Sequence, residues 1–270
     1  MTAWPVARHE GIRLGLTAVI LADQAAFLAR WSAYLAKRTG TRVEFAVRDA
    51  YQDILDLMFA NELDAAWICG YPYVRYQHRL RLLAVPVYRG EPRYQSYLIR
   101  PAGTEGEVRG WSDLRGKVFA YSDPLSNSGW LVAQGQFAGA NMTAGDLKRT
   151  FFAHGHRNVA EAVAAHLADA GSIDGYVWET MRQQGMKAAL QTEVVWKSAL
   201  HGFPPLVALA GPRAHKIDQL QQTLLDMGAS DDGRLLLKAL NLDGFIAGTP
   251  AIFDSIRKLA RSVPGSGVDA

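Results

Sequence analysis

Ser126, Asn127, Ser128 and Gly129 stand in a row within Phe119-Ala-Tyr-Ser-Asp-Pro-Leu-Ser-Asn-Ser-Gly-Trp130, between an apolar run and a segment that reads as a helix. They supply two hydroxyls and an amide, and Gly129 lets backbone approach closely. A helix that starts here has unpaired N–H groups and a partial positive charge at its first turn. That is the chemistry of a socket for a tetrahedral anion, built without a lysine. The bland alternative is a serine-rich helix cap.

Downstream, Phe151-Phe-Ala-His-Gly-His156 follows the next apolar run and precedes Asn158, a helix-capping residue type. Loops that lead from a strand into a helix lie at one end of a parallel sheet, so His156 falls beside the Ser126 loop. Its imidazole would donate to the same anion, more strongly if protonated. The alternatives are an ordinary surface histidine, or His154 as the reader.

These residues need a scaffold, and the hydrophobic pattern supplies one. Ile12–Leu16 reads as a strand. Asp23 is placed to cap a helix with Phe27, Leu28, Trp31 and Leu35 on its apolar side, and Gly40 ends it. Arg42–Val47 alternates like a strand, Asp49 is placed to cap a helix, and Ala65–Cys69 is apolar throughout, as expected of a strand covered on both faces. Pro72 suits a helix start and Leu82–Val87 a strand. Strand and helix alternating in this way predict a parallel sheet with helices on both sides. A turn at Arg89-Gly90 leads into Tyr94–Ile99. The pattern then restarts with strands at Lys117–Tyr121, Thr150–Ala153, Gly175–Val177 and Val194–Trp196, and with helices from Trp130 and from Asn158. Pro204–Leu209 reads as extended, and helices near Gln219–Met227, Gly233–Leu240 and Pro250–Leu259 finish the chain.

The predicted fold class is therefore α/β, with two Rossmann-like lobes joined by two crossing segments near Tyr94–Arg100 and His201–Leu209. Residues 1–96 and 208–270 would form lobe 1, and 97–207 lobe 2. Ligands of open α/β sheets bind beyond the carboxyl ends of the strands, so the cleft between the lobes is the expected site.

Composition narrows the function classes. The 270 residues are 49% hydrophobic and 20% charged, which is globular. A net charge of +3 without a basic stripe argues against nucleic acid as a partner. The one cysteine, Cys69, excludes an intrachain disulfide and a multi-cysteine metal site. His154, His156, His166 and His201 lack metal-ligand spacing, so no metal and no cofactor is expected. No run of about 18 apolar residues exists to span a membrane. Met1–Glu10 lacks the form of a signal peptide, which leaves a periplasmic chain without its leader or a cytoplasmic one.

In ordered combination these segments resemble the phosphonate-binding proteins of bacterial ABC transporters, a branch of the type II periplasmic-binding-protein fold. Ser122-Asp-Pro-Leu-Ser-Asn-Ser-Gly129 resembles the family's anion loop, and Gly145-Asp-Leu-Lys-Arg-Thr-Phe151, Gly155-His156 and Val195-Trp-Lys-Ser198 follow at the family's spacing. Tyr51-Gln-Asp-Ile, Asp64-Ala-Ala-Trp67, Tyr94-Gln-Ser-Tyr-Leu-Ile99 and Ile256-Arg-Lys-Leu-Ala260 fit as well. The resemblance covers about residues 10 to 265. It implies that Ser126, Asn127, Ser128 and His156 hold phosphonate oxygens and that Tyr51 and Tyr94 close the cleft. Core or hinge aromatics are the alternative for both tyrosines. Tyr71 and Tyr73 follow a buried strand and are further candidates for the cleft wall. The aminophosphonate binders of this family carry an aspartate in the second crossing, where this chain has Gly202-Phe-Pro-Pro205. A buried ammonium without a partner is costly, so an aminoethyl ligand is disfavoured. Glu179 is the candidate substitute, against an exposed acid at a helix start.

The expectation is thus a monomeric solute-binding protein that captures a small phosphonate-like oxyanion for an ABC-transporter permease. A sensing protein that reports its closed state to a membrane kinase or regulator would use the same chemistry. A hydrolase would pair Ser126 or Ser128 with His156, but the Gly-x-Ser-x-Gly elbow is missing. Cys69 is either a packed small hydrophobe or, if it faces the cleft, a ligand for a thiophilic oxyanion.

Overall fold

The computed structural model describes residues 10–17, 25–104, 107–211 and 215–268. Strands β1 (Ile12–Leu16), β2 (Val43–Val47), β3 (Ala65–Trp67) and β4 (Leu80–Val87) belong to a six-stranded sheet. β5 (Arg93–Tyr94) leads out of it, and β6 (Ser96–Pro101), β7 (Val118–Tyr121), β8 (Arg149–Phe152), β9 (Ala170–Asp174) and β10 (Thr192–Lys197) form a second, five-stranded sheet. β11 (His201–Gly202) leads back, and β12 (Leu206–Leu209) and β13 (Gly244–Ile246) complete the first. The orders are β13-β4-β12-β3-β1-β2 and β10-β6-β9-β7-β8.

Neighbouring strands pair parallel along one side of each sheet out to its edge, β3–β1–β2 in one and β9–β7–β8 in the other, and antiparallel elsewhere. The fully covered strands are the apolar ones: every residue of β3 is buried, as are Ile68 and Cys69 after it. Trp67 is anchored to the returning chain by its indole N–H, which donates to the Pro204 carbonyl at 2.8 Å. The second lobe has its own aromatic core of Trp111, Phe119, Tyr121 and Phe137.

The crossings are shorter than the sequence suggests. β5 and β11 pair antiparallel, Arg93 with Gly202 and Tyr94 with His201, and this two-residue ribbon is where the strands pass between the sheets. Residues 96–101 already belong to the second sheet, and 206–209 to the first. Before the ribbon, Arg89 and Gly90 both take positive φ (53° and 80°), and Tyr88 and Glu91 exchange backbone bonds, as a two-residue hairpin requires.

Three local expectations need correcting. Gly175–Val177 is not a strand but the start of the helix Gly175–Gln183, since the strand before it runs to Asp174. The helix Tyr51–Phe59 is capped by Ala50 without a side-chain bond from Asp49. The helix predicted from Asn158 begins at His156, with Gly155 at its cap in a φ of 150°. Asp23 lies outside the described residues. The last helix, Asp254–Ser262, packs on the short helix Gly70–Arg75 of the first lobe and also touches Val132–Gly139 of the second.

Candidate functional site

The loop after β7 is held in shape by its own hydroxyls. Ser126 caps the next turn, with Oγ accepting from the Gly129 N–H at 2.9 Å. The Leu131 N–H reaches the Ser126 carbonyl at 3.0 Å, so Asn127–Leu131 is a single wide π turn before the helix Val132–Gly139. Such turns recur at functional sites because they reposition side chains at a helix start. The Ser128 carbonyl accepts from Ser96 Oγ at 2.7 Å and Ser172 Oγ at 2.5 Å, which ties the turn to β6 and β9. Gly129 is required by space. A Cβ there would lie 1.8 Å from Ser122 Oγ and 2.6 Å from its Cβ.

His156 opens the next helix and is fully buried. Its Nδ1 accepts the Asp174 N–H at 3.1 Å, so the neutral ring carries its hydrogen on Nε2, which has no protein partner. Burial pushes the imidazole pKa down to about 3. The ring is therefore a neutral donor, not the imidazolium that sequence reasoning allowed.

Asp174 stands at the end of β9. Its Oδ1 accepts from the Tyr176 and Val177 N–H groups and caps their helix, while Oδ2 is buried without a partner. Burial raises this carboxyl to about 7, against the pull of the two helix N–H groups.

The first lobe closes over these groups. The Tyr51 N–H donates to Asp123 Oδ2 at 3.2 Å, a helix start of one lobe capped by a carboxylate of the other. The Asn127 N–H reaches Cys69 Sγ at 3.2 Å, and Asn127 Nδ2 donates to the Tyr94 hydroxyl at 3.0 Å. Burial raises the Cys69 thiol to about 11 and holds the Tyr51 and Tyr94 phenols well above their ordinary value, with the nearby Asp174 carboxylate adding to both. Each therefore keeps its proton. The Tyr51 hydroxyl, the Ser122 and Ser128 Oγ atoms, Asn127 Oδ1, His156 Nε2 and Asp174 Oδ2 are all buried without a hydrogen-bond partner among the described residues. Burying one such group costs about 1–3 kcal/mol, so six of them around one set of contacts mark a site built to be completed by a ligand.

The remaining candidates are engaged in other contacts. Tyr71 donates to the Ser266 carbonyl at 2.6 Å and stacks on Trp130. Tyr73 packs on Phe253 with ring centroids 4.7 Å apart. Glu179 accepts from the Tyr97 hydroxyl at 3.0 Å and faces Arg89 at 3.5 Å. His154 is exposed. Sequence reasoning overlooked Asp174, Ser122, and the roles of Ser96 and Ser172 behind the loop. An aspartate directly before Gly-Tyr-Val is a helix-cap signal that would have found Asp174.

A family model described as ABC transporter, phosphonate, periplasmic substrate-binding protein matches residues 20–252. The phosphate-import protein PhnD of Mycolicibacterium smegmatis is 31% identical over 177 residues, 61% of this chain. The match spans 55% of that relative's length. A binding protein component of an ABC phosphonate transporter from Pseudomonas aeruginosa superposes with a TM-score of 0.84 at 23% identity, covering 96% of this chain and 88% of its own. PhnD1 from Prochlorococcus marinus, in complex with methylphosphonate, gives 0.81 at 18% identity, with 94% and 98% covered. At these identities the two structures establish the fold, that of the type II periplasmic binding proteins.

Proposed function

The chain belongs to the family of ABC-transporter periplasmic substrate-binding proteins for phosphonates, and on that premise we propose that its interlobe cleft captures a small phosphorus oxyanion (phosphonate, phosphite or phosphate) for ABC-type uptake. The observation that carries the reading is the set of six buried, unpartnered polar atoms contributed by Tyr51, Ser122, Asn127, Ser128, His156 and Asp174.

Donors dominate this set. The Tyr51 hydroxyl, Ser122, Ser128 and the His156 Nε2–H offer hydrogens to oxygen, the Tyr94 hydroxyl, which accepts from Asn127, can add its own, and the helices beginning at Tyr51, Asn127 and His156 add the positive ends of their dipoles. No formal cation is needed, because several charge-assisted bonds in a dry site stabilise an anion. The ligand docks on the Ser126–Gly129 turn while the lobes are apart. Tyr51 and Tyr94 then cover it, and contacts made only in the closed form shift the population toward closure. A permease reads the closed form of a monomer in the periplasm. Among the described residues no helix is long and apolar enough to cross a membrane.

The substituent on phosphorus meets an apolar wall. Phe203 is fully buried against Tyr94 and Tyr176 in the second crossing, and Glu179 is engaged by Tyr97 and Arg89. A methyl group or hydrogen suits such a wall better than an ammonium.

The family is one of binding proteins rather than enzymes, and the geometry agrees. His156 spends its acceptor nitrogen on the Asp174 N–H, so it has no lone pair with which to take a serine proton. Isothermal titration with methylphosphonate, phosphite and phosphate tests the reading, with phosphorus NMR of the recovered ligand. Saturable 1:1 binding with unaltered ligand is expected. Absence of binding by all three would overturn it.

A further inference from the structure

Among the described residues, one unpartnered group of the cleft can carry a formal negative charge. The hydroxyls rotate to donate, His156 presents Nε2–H, and Asn127 Oδ1, left over while Nδ2 donates to Tyr94, is a neutral acceptor. Asp174 differs. Its Oδ1 is committed to the Tyr176 and Val177 N–H groups at 2.8 and 3.2 Å, and ionised Oδ2 has only lone pairs to offer. Asp174 is 1% exposed and linked through its own N–H to His156, so Oδ2 belongs to the constellation that would surround the tetrahedral centre. An ionised acceptor there repels a bare oxygen of an anion and attracts an oxygen that bears hydrogen.

Resting on the function proposed above, we infer that Asp174 is a specificity-determining residue. It accepts the O–H of a singly protonated phosphorus oxyanion and turns away tetrahedral anions without a proton, sulfate and alkanesulfonates among them. Phosphoryl groups complete their ionisation near neutral pH and can bring that hydrogen. Sulfate and sulfonates are anions of strong acids and cannot. A site whose buried polar group needs a partner discriminates strongly against an analogue that lacks it.

The surroundings fit this role. The titratable groups that feel Asp174 are Tyr51 from the first lobe's helix, Cys69 after β3, Tyr94 of β5, Tyr88 before the ribbon and Tyr176 of its own helix, with His156 on its N–H. The phenols and the thiol are raised and the imidazole is lowered, so all are neutral near pH 7, and none of these described groups compensates a carboxylate beside a fully ionised ligand. The carboxyl itself is raised to about 7 by burial, so a proton shared with the ligand relieves both partners.

The test is titration calorimetry at pH 8, where Asp174 is ionised, on the wild type and on Asp174→Asn. The probes are methylphosphonate, sulfate, methanesulfonate and 2-aminoethylphosphonate. The wild type should prefer methylphosphonate over sulfate and methanesulfonate by at least ~100-fold. Asp174→Asn, which keeps the helix cap, should reduce that ratio by about tenfold or more, as its amide donates to a bare oxygen. Equal wild-type affinity for methylphosphonate and sulfate would overturn the inference whether or not the variant folds. So would an unchanged ratio in Asp174→Asn. A wild-type preference for 2-aminoethylphosphonate that vanishes in Asp174→Asn would overturn it in favour of an ammonium partner. Failure of the proposed function is distinguishable, because then the wild type binds none of methylphosphonate, phosphite and phosphate.

Discussion

The Asp174 N–H points at His156 Nδ1 from 3.1 Å, and this bond decides what the histidine can do. With Nδ1 accepting, the hydrogen sits on Nε2, and burial keeps the ring neutral down to a pKa of about 3. Histidine nitrogens observed by long-range proton–nitrogen correlation should show His156 as the Nε2–H tautomer, unchanged from pH 8 to 5 in the free protein. Ordinary histidines titrate within that range. A His156 resonance with a midpoint between 6 and 7 would mean that the ring is an imidazolium in the working site.

Ser126 and Ser128 are two residues apart and should respond to alanine in opposite ways. Ser126 Oγ caps the turn through the Gly129 N–H. Ser126→Ala should therefore lower folding stability by about 0.5–2 kcal/mol. Ser128 Oγ is buried without a protein partner, although it lies close enough to Tyr94 to favour its phenolate slightly. Ser128→Ala removes an unsatisfied group, so stability should hold or rise, while methylphosphonate binding weakens by about 1.5–3 kcal/mol. Denaturant unfolding and calorimetry on both variants check the contrast. A loss of stability in Ser128→Ala would show that its hydroxyl serves the fold.

Much of the scaffold is legible in the chain, for reasons that also explain the misses. The central strand of the first sheet, Ala65–Trp67, announces itself because both faces are covered and each residue must be apolar. The anion loop is visible because hydroxyls and a glycine next to a helix start are a local signal. β9 is different. It is Ala-Gly-Ser-Ile-Asp, with little β-forming character, because a Cβ at Gly171 would come within 2.6 Å of Val159 and because Ser172 must reach the Ser128 carbonyl. Packing demands from distant residues removed the strand signal, and the neighbouring Gly-Tyr-Val took its place. Asp174 was lost with the boundary. Asp123 was hidden for a similar reason, since the helix it caps begins 72 positions away at Tyr51.

Cys69 offers a probe of closure. Its sulfur accepts the Asn127 N–H across the lobes, it is 1% exposed, and burial raises its thiol to about 11. The thiolate is the reactive form, so a disulfide reagent should label the native protein only when the lobes part. A ligand that binds the closed form should slow labelling by the factor 1 + [L]/Kd, about 100-fold at 100 Kd. The unfolded chain should react at once with or without methylphosphonate. A native labelling rate that ignores saturating methylphosphonate would mean that Cys69 is reached without opening the cleft.

The last prediction concerns Asp174 and stability without ligand. Its carboxyl is raised from 3.8 to about 7, so between those values the folded state holds a proton that the unfolded chain has lost. The stabilisation linked to that proton is present at low pH and disappears as pH rises through the window. His156 works the other way. Its pKa falls from 6.5 to about 3, so folding excludes a proton, and stability is lost as pH falls below 6.5. Over most of the acidic range the two slopes oppose each other. Asp174→Asn removes one of them and leaves the helix cap in place. The stability of Asp174→Asn relative to the wild type should therefore increase between pH 4 and 7, by up to about 1.4 kcal/mol per pH unit. Urea unfolding of both proteins at pH 4.5, 5.5, 6.5 and 7.5 measures it directly. A constant difference across the series would show that Asp174 stays ionised in the folded protein, with a cation or solvent reaching Oδ2.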